Sequence, residues 1–187
     1  MQFLQRKQPL MNHADHVALI RDGVPKAGGI WADFGSGTGA FTLALADCLG
    51  PGGQITSIDK SGHALREQEQ VMNGRFPQTH ITYLTADYTR PLDLPPLDGI
   101  LMANALHFQR QKDGIVQQLY AYLRPGGRLI VVEYNVDRGN MWVPHPFSFP
   151  TWQTIASRNG FVETRQLNIR PSRFLGEIYS AVSHKPT

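Results

Sequence analysis

Three glycines at alternate positions mark the first place in this sequence where chemistry is expected. The stretch IWADFGSGTGAFTLAL covers residues 30–45, and its turn contains Gly35, Gly37 and Gly39. Glycine has no Cβ, so such a turn bends sharply and lets the backbone approach a ligand closely. The apolar residues that follow have helical spacing, which leaves free backbone N–H groups at a helix N-terminus. The sequence therefore predicts a site for an anionic or strongly accepting group of a ligand.

Polar side chains follow the later apolar runs of the chain. Asp59 and Asp87 each stand at the end of one such run, and Asn104 and Glu133 end two others. Ligands of parallel sheets bind outside the carboxyl ends of the strands, so we expect these side chains to gather beside the glycine turn. A single aspartate could equally end a strand or cap a helix. Several acids in register with the glycine turn favour a binding site.

The elements that must position these residues alternate between strand and helix. Five strands separated by helical segments predict a parallel sheet covered on both faces, and two final runs predict an antiparallel hairpin at its edge. We expect a single domain with four parts: an N-terminal helical cap (1–29), a cofactor-binding core (30–134), an acceptor-side loop (135–150), and a helix with the hairpin (151–187). The predicted strands are 30–34, 54–58, 81–86, 99–105, 128–134, 161–169 and 175–183. The predicted helices are 12–22, the helix that follows the glycine turn and stops at Leu49, 61–76, 113–123 and 152–159.

Composition narrows the class of protein. The chain has 187 residues, 18% of them charged, a net charge of +3 and one cysteine. Basic residues are scattered without a run of about five or more, so nucleic acid is not an expected partner. One cysteine forms neither an internal disulfide nor a thiolate metal cluster, and no bound metal is expected. No apolar stretch is long enough for a bilayer. We expect a cytoplasmic monomer or homodimer with no membrane partner.

The glycine turn alone leaves two cofactors open. Residues 35–40 also fit the dinucleotide pattern G-x-G-x-x-G/A, and Asp59 follows about twenty residues later, where an acid would bind a ribose. Asp33, however, would repel a pyrophosphate and suits a ligand that carries an ammonium group. Asp87 adds an acceptor for an exocyclic amine. A nicotinamide-dependent reductase would need a pair such as Tyr-x-x-x-Lys, and no tyrosine here has a lysine four residues later.

Several motifs together resemble the class I S-adenosylmethionine-dependent methyltransferases of the small-molecule type. They are DFGSGTG (33–39), SID (57–59), AD (86–87), DGILMANALH (98–107) and LRPGGRLIVVE (123–133). The resemblance implies an α/β three-layer sandwich whose seven-stranded, mostly parallel sheet has the order 3-2-1-4-5-7-6. It also implies S-adenosyl-L-methionine as cofactor and a binding site made of Asp33, Gly35, Ser36, Gly37, Thr38, Gly39, Asp59, Lys60, Asp87, Tyr88, Asn104 and Ala105.

Within that set, Lys60 departs from the family, which tends to place an apolar residue against the adenine ring. Its aliphatic stem could still cover the ring while the ammonium group stays in water. Asp59 would bind the ribose hydroxyls, Asp87 and Tyr88 would frame the adenine, and Asn104 with Ala105 would line the sulfonium end.

The acceptor side has candidate residues but no diagnostic motif. His107 and Glu133 are the candidate catalytic residues, with Tyr134 and His145 as further possible bases. The sequence lacks Asn-Pro-Pro-aromatic, Pro-Cys and multiple thiols, which argues against adenine, cytosine and arsenite as acceptors. A small molecule remains, and the resemblance predicts methyl transfer to it by in-line displacement. The alternatives are an NAD(P)-dependent reductase and a non-catalytic S-adenosylmethionine-binding module.

Overall fold

Seven strands form one sheet in a computed structural model that describes residues 11–25, 27–172 and 174–187. The order is β3-β2-β1-β4-β5-β7-β6, as predicted. The first five strands are parallel, whereas β7 runs antiparallel to both β5 and β6. The strands are β1 (Gly29–Phe34), β2 (Gly53–Asp59), β3 (His80–Thr85), β4 (Leu97–Ala103), β5 (Leu123–Tyr134), β6 (Val162–Ser172) and β7 (Gly176–His184).

Helices cover both faces of this sheet and make the three layers that the alternating pattern predicts. Neighbouring residues of a strand point to opposite faces, so Trp31 packs in the core beneath α1, α2 and α3 while Ala32 packs in the core beneath α4 and α5. Each core is apolar and fills the space between helices and sheet. The helices are α1 (His13–Ile20), α2 (Ala40–Leu49), α3 (Gly62–Arg75), α4 (Asp113–Tyr122) and α5 (Phe149–Arg158).

The predicted elements differ from the observed ones mainly at their ends. β4 ends at Ala103, so Asn104 and its neighbour lie beyond the strand that was predicted to contain them. β5 begins at Leu123, although its regular pairing with β4 resumes at Arg128, the predicted start, after a register shift. Helix α5 begins at Phe149 because Pro150 suits the first turn of a helix, which shortens the predicted 135–150 loop.

The N-terminal part of the chain is described only from residue 11. Residues 1–10 and Lys26 of the predicted 1–29 cap lie outside the described residues. Helix α1 begins after Asn12, whose side chain accepts from the Asp15 N–H while the Asp15 side chain accepts from the Asn12 N–H. Such a reciprocal capping box defines a helix start. Across the described ranges, no helix has the length and apolar character needed to cross a membrane.

Candidate active site

The glycine loop, residues 35–39, connects β1 to α2 at the carboxyl edge of the sheet. Gly35, Gly37 and Gly39 all have left-handed backbone conformations, with φ angles of 73°, 55° and 87°. The N–H groups of Gly35 and Ser36 donate to the Ile58 carbonyl at 2.8 and 3.0 Å. A Cβ added at Gly37 would meet nothing within 4 Å. The loop is therefore tied to β2 at its start and faces open space in its middle.

Asp59, the last residue of β2, is joined to the glycine loop. Its Oδ2 accepts the Gly37 N–H at 2.9 Å, and its Oδ1 accepts the Ser61 N–H at 2.8 Å. The side chain is half-buried, so each oxygen has a lone pair left for a ligand hydroxyl. The predicted proximity of this acid to the loop is present in the structure.

Asp33 lies beneath the loop rather than on its surface. Only 1% of the residue is exposed, and the Thr42 hydroxyl donates to its Oδ2 at 2.6 Å. Burial raises the pKa of the Asp33 carboxyl to about 7, because it disfavours the charged form. Direct contact of Asp33 with a ligand ammonium group stays a prediction.

The next two predicted binding residues follow β3. Asp87 is exposed, and hydrogen bonds from the Thr89 N–H and hydroxyl lower the pKa of its carboxyl. Lys60 is exposed, and its charge makes a smaller contribution in the same direction. The Tyr88 hydroxyl donates to the Ala105 carbonyl at 2.8 Å. Tyr88 therefore reaches from the end of β3 to the segment after β4.

Asn104 and Ala105 close the other side of the glycine loop. Asn104 has a left-handed conformation (φ 50°), and its N–H donates to the Val132 carbonyl. A Cβ added at Gly35 would lie 2.6 Å from the Ala105 Cβ, so only glycine permits this approach. The buried Oδ1 of Asn104 has no hydrogen-bond partner within the described part of the chain. An acceptor left free in this position is suited to a donor group on a ligand.

A buried pair, His107 and Glu133, lies next to this segment. His107 Nδ1 is 2.8 Å from Glu133 Oε2, and the residues are 3% and 0% exposed. Glu133 Oε1 also accepts the N–H groups of Leu106 and His107. An ionised carboxylate only accepts, so this pairing puts the ring proton on Nδ1 and leaves Nε2 as an acceptor. The structure thus brings together two residues that the sequence nominated separately.

The segment 135–148 is anchored beside that pair. Lys112 Nζ donates to the Gln109 and His145 carbonyls at 2.8 and 2.9 Å, and the His145 N–H donates to the His107 carbonyl. Phe147 is buried in the core, whereas Trp142 is 72% exposed. His145 acts here through its backbone, and Trp142 and Phe147 lie in different environments.

Two residues around the site are not predicted by the sequence. Lys112 had no signal, because its partners are carbonyl groups distant in sequence. Gln68 is fully buried on the inner face of α3, whereas the apolar Val71 of the same helix is 43% exposed. The spacing of Leu65, Gln68 and Met72 is helical, and this signal in the sequence could have revealed Gln68.

Comparison with protein families decides the affiliation of this chain. The model of the methyltransferase domain family matches residues 32–129, from β1 into β5. The chain belongs to this methyltransferase family. The match includes the glycine loop, Asp59, Asp87 and the segment after β4, and it ends before Glu133.

Among curated relatives of this chain, a ubiquinone/menaquinone biosynthesis C-methyltransferase from Pasteurella multocida is 27% identical over 105 residues. That alignment covers 55% of this chain and 39% of the relative. A carboxy-S-adenosyl-L-methionine synthase from Chromohalobacter salexigens is 31% identical, with 59% and 43% of the two chains covered. The matched part thus spans only about two fifths of the length of these relatives.

Solved structures agree on the fold. A phosphoethanolamine N-methyltransferase from Haemonchus contortus, in complex with phosphomonomethylethanolamine and S-adenosylhomocysteine, superposes with a TM-score of 0.72 at 15% identity. It covers 93% of this chain and 53% of the other. The chain therefore has the fold of this S-adenosylhomocysteine-bound methyltransferase, and together with the family match this supports S-adenosylmethionine as the cofactor.

Proposed function

We propose that this protein transfers a methyl group from S-adenosylmethionine to a small-molecule acceptor. The observation that carries the proposal is the joining of two sites at one sheet edge: the glycine loop with Asp59, and the buried pair of His107, shortly after β4, and Glu133, at the end of β5. When bound, S-adenosylmethionine supplies a methyl group already activated on a sulfonium. The remaining catalytic task is to position the acceptor in line with it.

The residues around the glycine loop fit this cofactor chemically. Asp59 offers carboxylate oxygens to ribose hydroxyls, and the free Oδ1 of Asn104 offers an acceptor to the ammonium group. The buried carboxyl of Asp33 adds negative charge beneath the loop once it is ionised. We assign the adenine to the surface between Asp87 and Tyr88, with the stem of Lys60 at its edge.

We assign proton removal to His107 and its orientation to Glu133. Glu133 accepts the Nδ1 proton, which fixes the tautomer with Nε2 free to take a proton from the acceptor. A base of this kind suits an acceptor that carries an ionisable hydroxyl, such as a phenol or a hydroxylated ring. The relatives named as quinone-pathway C-methyltransferases are consistent with such a ring. The family match ends before Glu133 and does not distinguish O-methylation from C-methylation. The products of the assay below distinguish them.

The test is a methylation assay with isotopically labelled S-adenosylmethionine and a panel of hydroxylated aromatic acceptors, with thiol and amine acceptors as controls. We expect transfer to a hydroxylated ring. In His107→Asn, turnover should fall by about 10²-fold or more. S-Adenosylhomocysteine affinity should be unchanged. Equal turnover in His107→Asn and the wild type would show that His107 is not the catalytic base.

A further inference from the structure

A buried glutamine lies beneath the glycine loop and is not explained by the packing of the fold. Gln68 belongs to α3 and is 0% exposed, whereas its neighbours on the inner face, Leu65 and Met72, are apolar. Burying an amide is unfavourable unless its hydrogen bonds are replaced. An apolar side chain of the same length would fill this position without that cost, so the contacts of the amide must account for its presence.

The amide oxygen of Gln68 is connected to the loop through Ser57 of β2. Ser57 Oγ lies 2.9 Å from Gln68 Oε1 and 2.8 Å from Ser36 Oγ. One hydroxyl hydrogen serves one acceptor, so both contacts are satisfied when Ser36 donates to Ser57 and Ser57 donates to Gln68. This chain of hydrogen bonds holds the side chain of Ser36, near the start of the loop.

The stem of Gln68 packs against the end of the same loop. A Cβ added at Gly39 would lie 2.4 Å from Gln68 Cγ and 2.9 Å from Nε2. Gly39 also has a left-handed conformation, with φ 87°. Gln68 therefore touches the loop at both ends: at Ser36 through Ser57, and at Gly39 by direct packing.

The amide nitrogen of Gln68 has no hydrogen-bond partner among the residues described. A buried donor without a partner lowers stability, and a position selected for the fold alone would not retain it. Stability given up at one residue is typical of a functional position.

We propose that Gln68 is a positioning residue for the cofactor site. It holds residues 36–39 in the conformation that the ligand meets, and it does so at some expense to the stability of the fold. The identity of that ligand rests on the proposed function, whereas the ordering of the loop does not.

The test compares Gln68→Met, which keeps an unbranched side chain, with the control Met72→Leu one turn further along α3. Three quantities are measured: hydrogen exchange of residues 36–39 without ligand, thermal stability, and affinity for S-adenosylhomocysteine. In Gln68→Met we expect the loop amides to lose their protection and the melting temperature to stay equal or rise. Affinity should fall about three- to tenfold, in proportion to the fraction of molecules with an ordered loop. Met72→Leu should leave the loop amides protected.

Ser57→Ala provides a second variant that removes only the linking hydroxyl. It should deprotect Ser36 in the same direction, and the double variant with Gln68→Met should add little, because both changes break one hydrogen-bond chain. Unchanged loop exchange in Gln68→Met overturns the proposal. Faster loop exchange in a protein whose wild type does not bind S-adenosylhomocysteine supports the role of Gln68 and overturns the proposed cofactor.

Discussion

The cofactor side of the site is formed mainly by backbone groups, whereas the acceptor side is formed by side chains. On the cofactor side, backbone hydrogen bonds hold the glycine loop to β2, and three glycines in left-handed conformations make that geometry possible. On the acceptor side, His107 and Glu133 form a buried pair of side chains, 26 residues apart in sequence. The cofactor side depends on local conformation, whereas the acceptor side depends on contacts between distant segments.

This difference has a consequence for how each half responds to mutation. A change in the middle of the loop, at Gly37, alters a surface that faces open space, so it acts first on ligand affinity. A change in the buried pair leaves polar groups without partners, so it acts first on the stability of the fold. Substitutions in each half test that contrast.

Glu133→Leu should lower stability more than any substitution in the glycine loop. It leaves the His107 ring and the N–H groups of Leu106 and His107 without their acceptor in a buried setting. We expect the free energy of unfolding to fall by about 3–5 kcal/mol, measured by urea denaturation. Glu133→Gln retains an acceptor oxygen and should lose less. A loss below about 1 kcal/mol in Glu133→Leu would contradict the structural role assigned to this carboxylate.

Gly39→Ala should disturb the cofactor side more than Gly37→Ala does. Both positions have left-handed backbones, but only the Gly39 Cβ would collide with Gln68, since Gly37 faces open space. We expect Gly39→Ala to cost about 1–3 kcal/mol of unfolding free energy and Gly37→Ala about 1 kcal/mol. Equal losses of unfolding free energy at the two positions would mean that the contact with Gln68 does not contribute to the difference.

Asp33→Asn should change how stability depends on pH. The pKa of Asp33 is raised from 3.8 to about 7, so the folded protein binds a proton that the unfolded chain has released in this range. The unfolding free energy of the wild type therefore falls as pH rises from about 4 to 7, by about 1.4 kcal/mol per unit of pKa shift at most. The amide introduced by the substitution cannot ionise, and its oxygen still accepts from Thr42. The variant should gain stability relative to the wild type at pH 8 compared with pH 5; parallel pH curves would refute the assignment.

Trp142→Ala should have the smallest effect on stability. Trp142 is exposed, whereas Phe147, in the same segment, is 1% exposed in the core. We expect thermal or urea unfolding to change by less than about 0.5 kcal/mol for Trp142→Ala and by about 3–5 kcal/mol for Phe147→Ala. A large loss for Trp142→Ala would show that this tip of the segment is part of the fold.

The sequence located the glycine loop and the acid that contacts it because these signals are local, whereas cofactor binding by these residues stays a prediction. Glycines at alternate positions, and acids at the ends of apolar runs, are visible within a few residues of each other. The strand order came from the resemblance and is confirmed. Element ends were less accurate: the Leu-Arg-Pro-Gly-Gly segment was expected to lie outside the strand, yet β5 begins at Leu123.

The candidate residues of the acceptor side could be named from the sequence, but the contacts between them could not be predicted. His107 and Glu133 each stood at a strand end, but nothing in the sequence indicated that they bond to each other. The buried positions of Asp33 and Gln68 also depend on which face of the sheet and helix each side chain occupies. These are tertiary contacts, and the pairing and burial that they require are fixed only when the layers pack.

The central claim is that the glycine loop and Asp59 bind S-adenosylmethionine. The most direct test is calorimetric titration of wild type and Asp59→Ala with S-adenosylhomocysteine, and with NADH and NADPH in the same buffer. We expect the wild type to bind S-adenosylhomocysteine alone, and Asp59→Ala to bind it more weakly by about 1–3 kcal/mol, the cost of losing hydrogen bonds to a charged group. Binding of a nicotinamide cofactor instead, or unchanged affinity in Asp59→Ala, would contradict the claim.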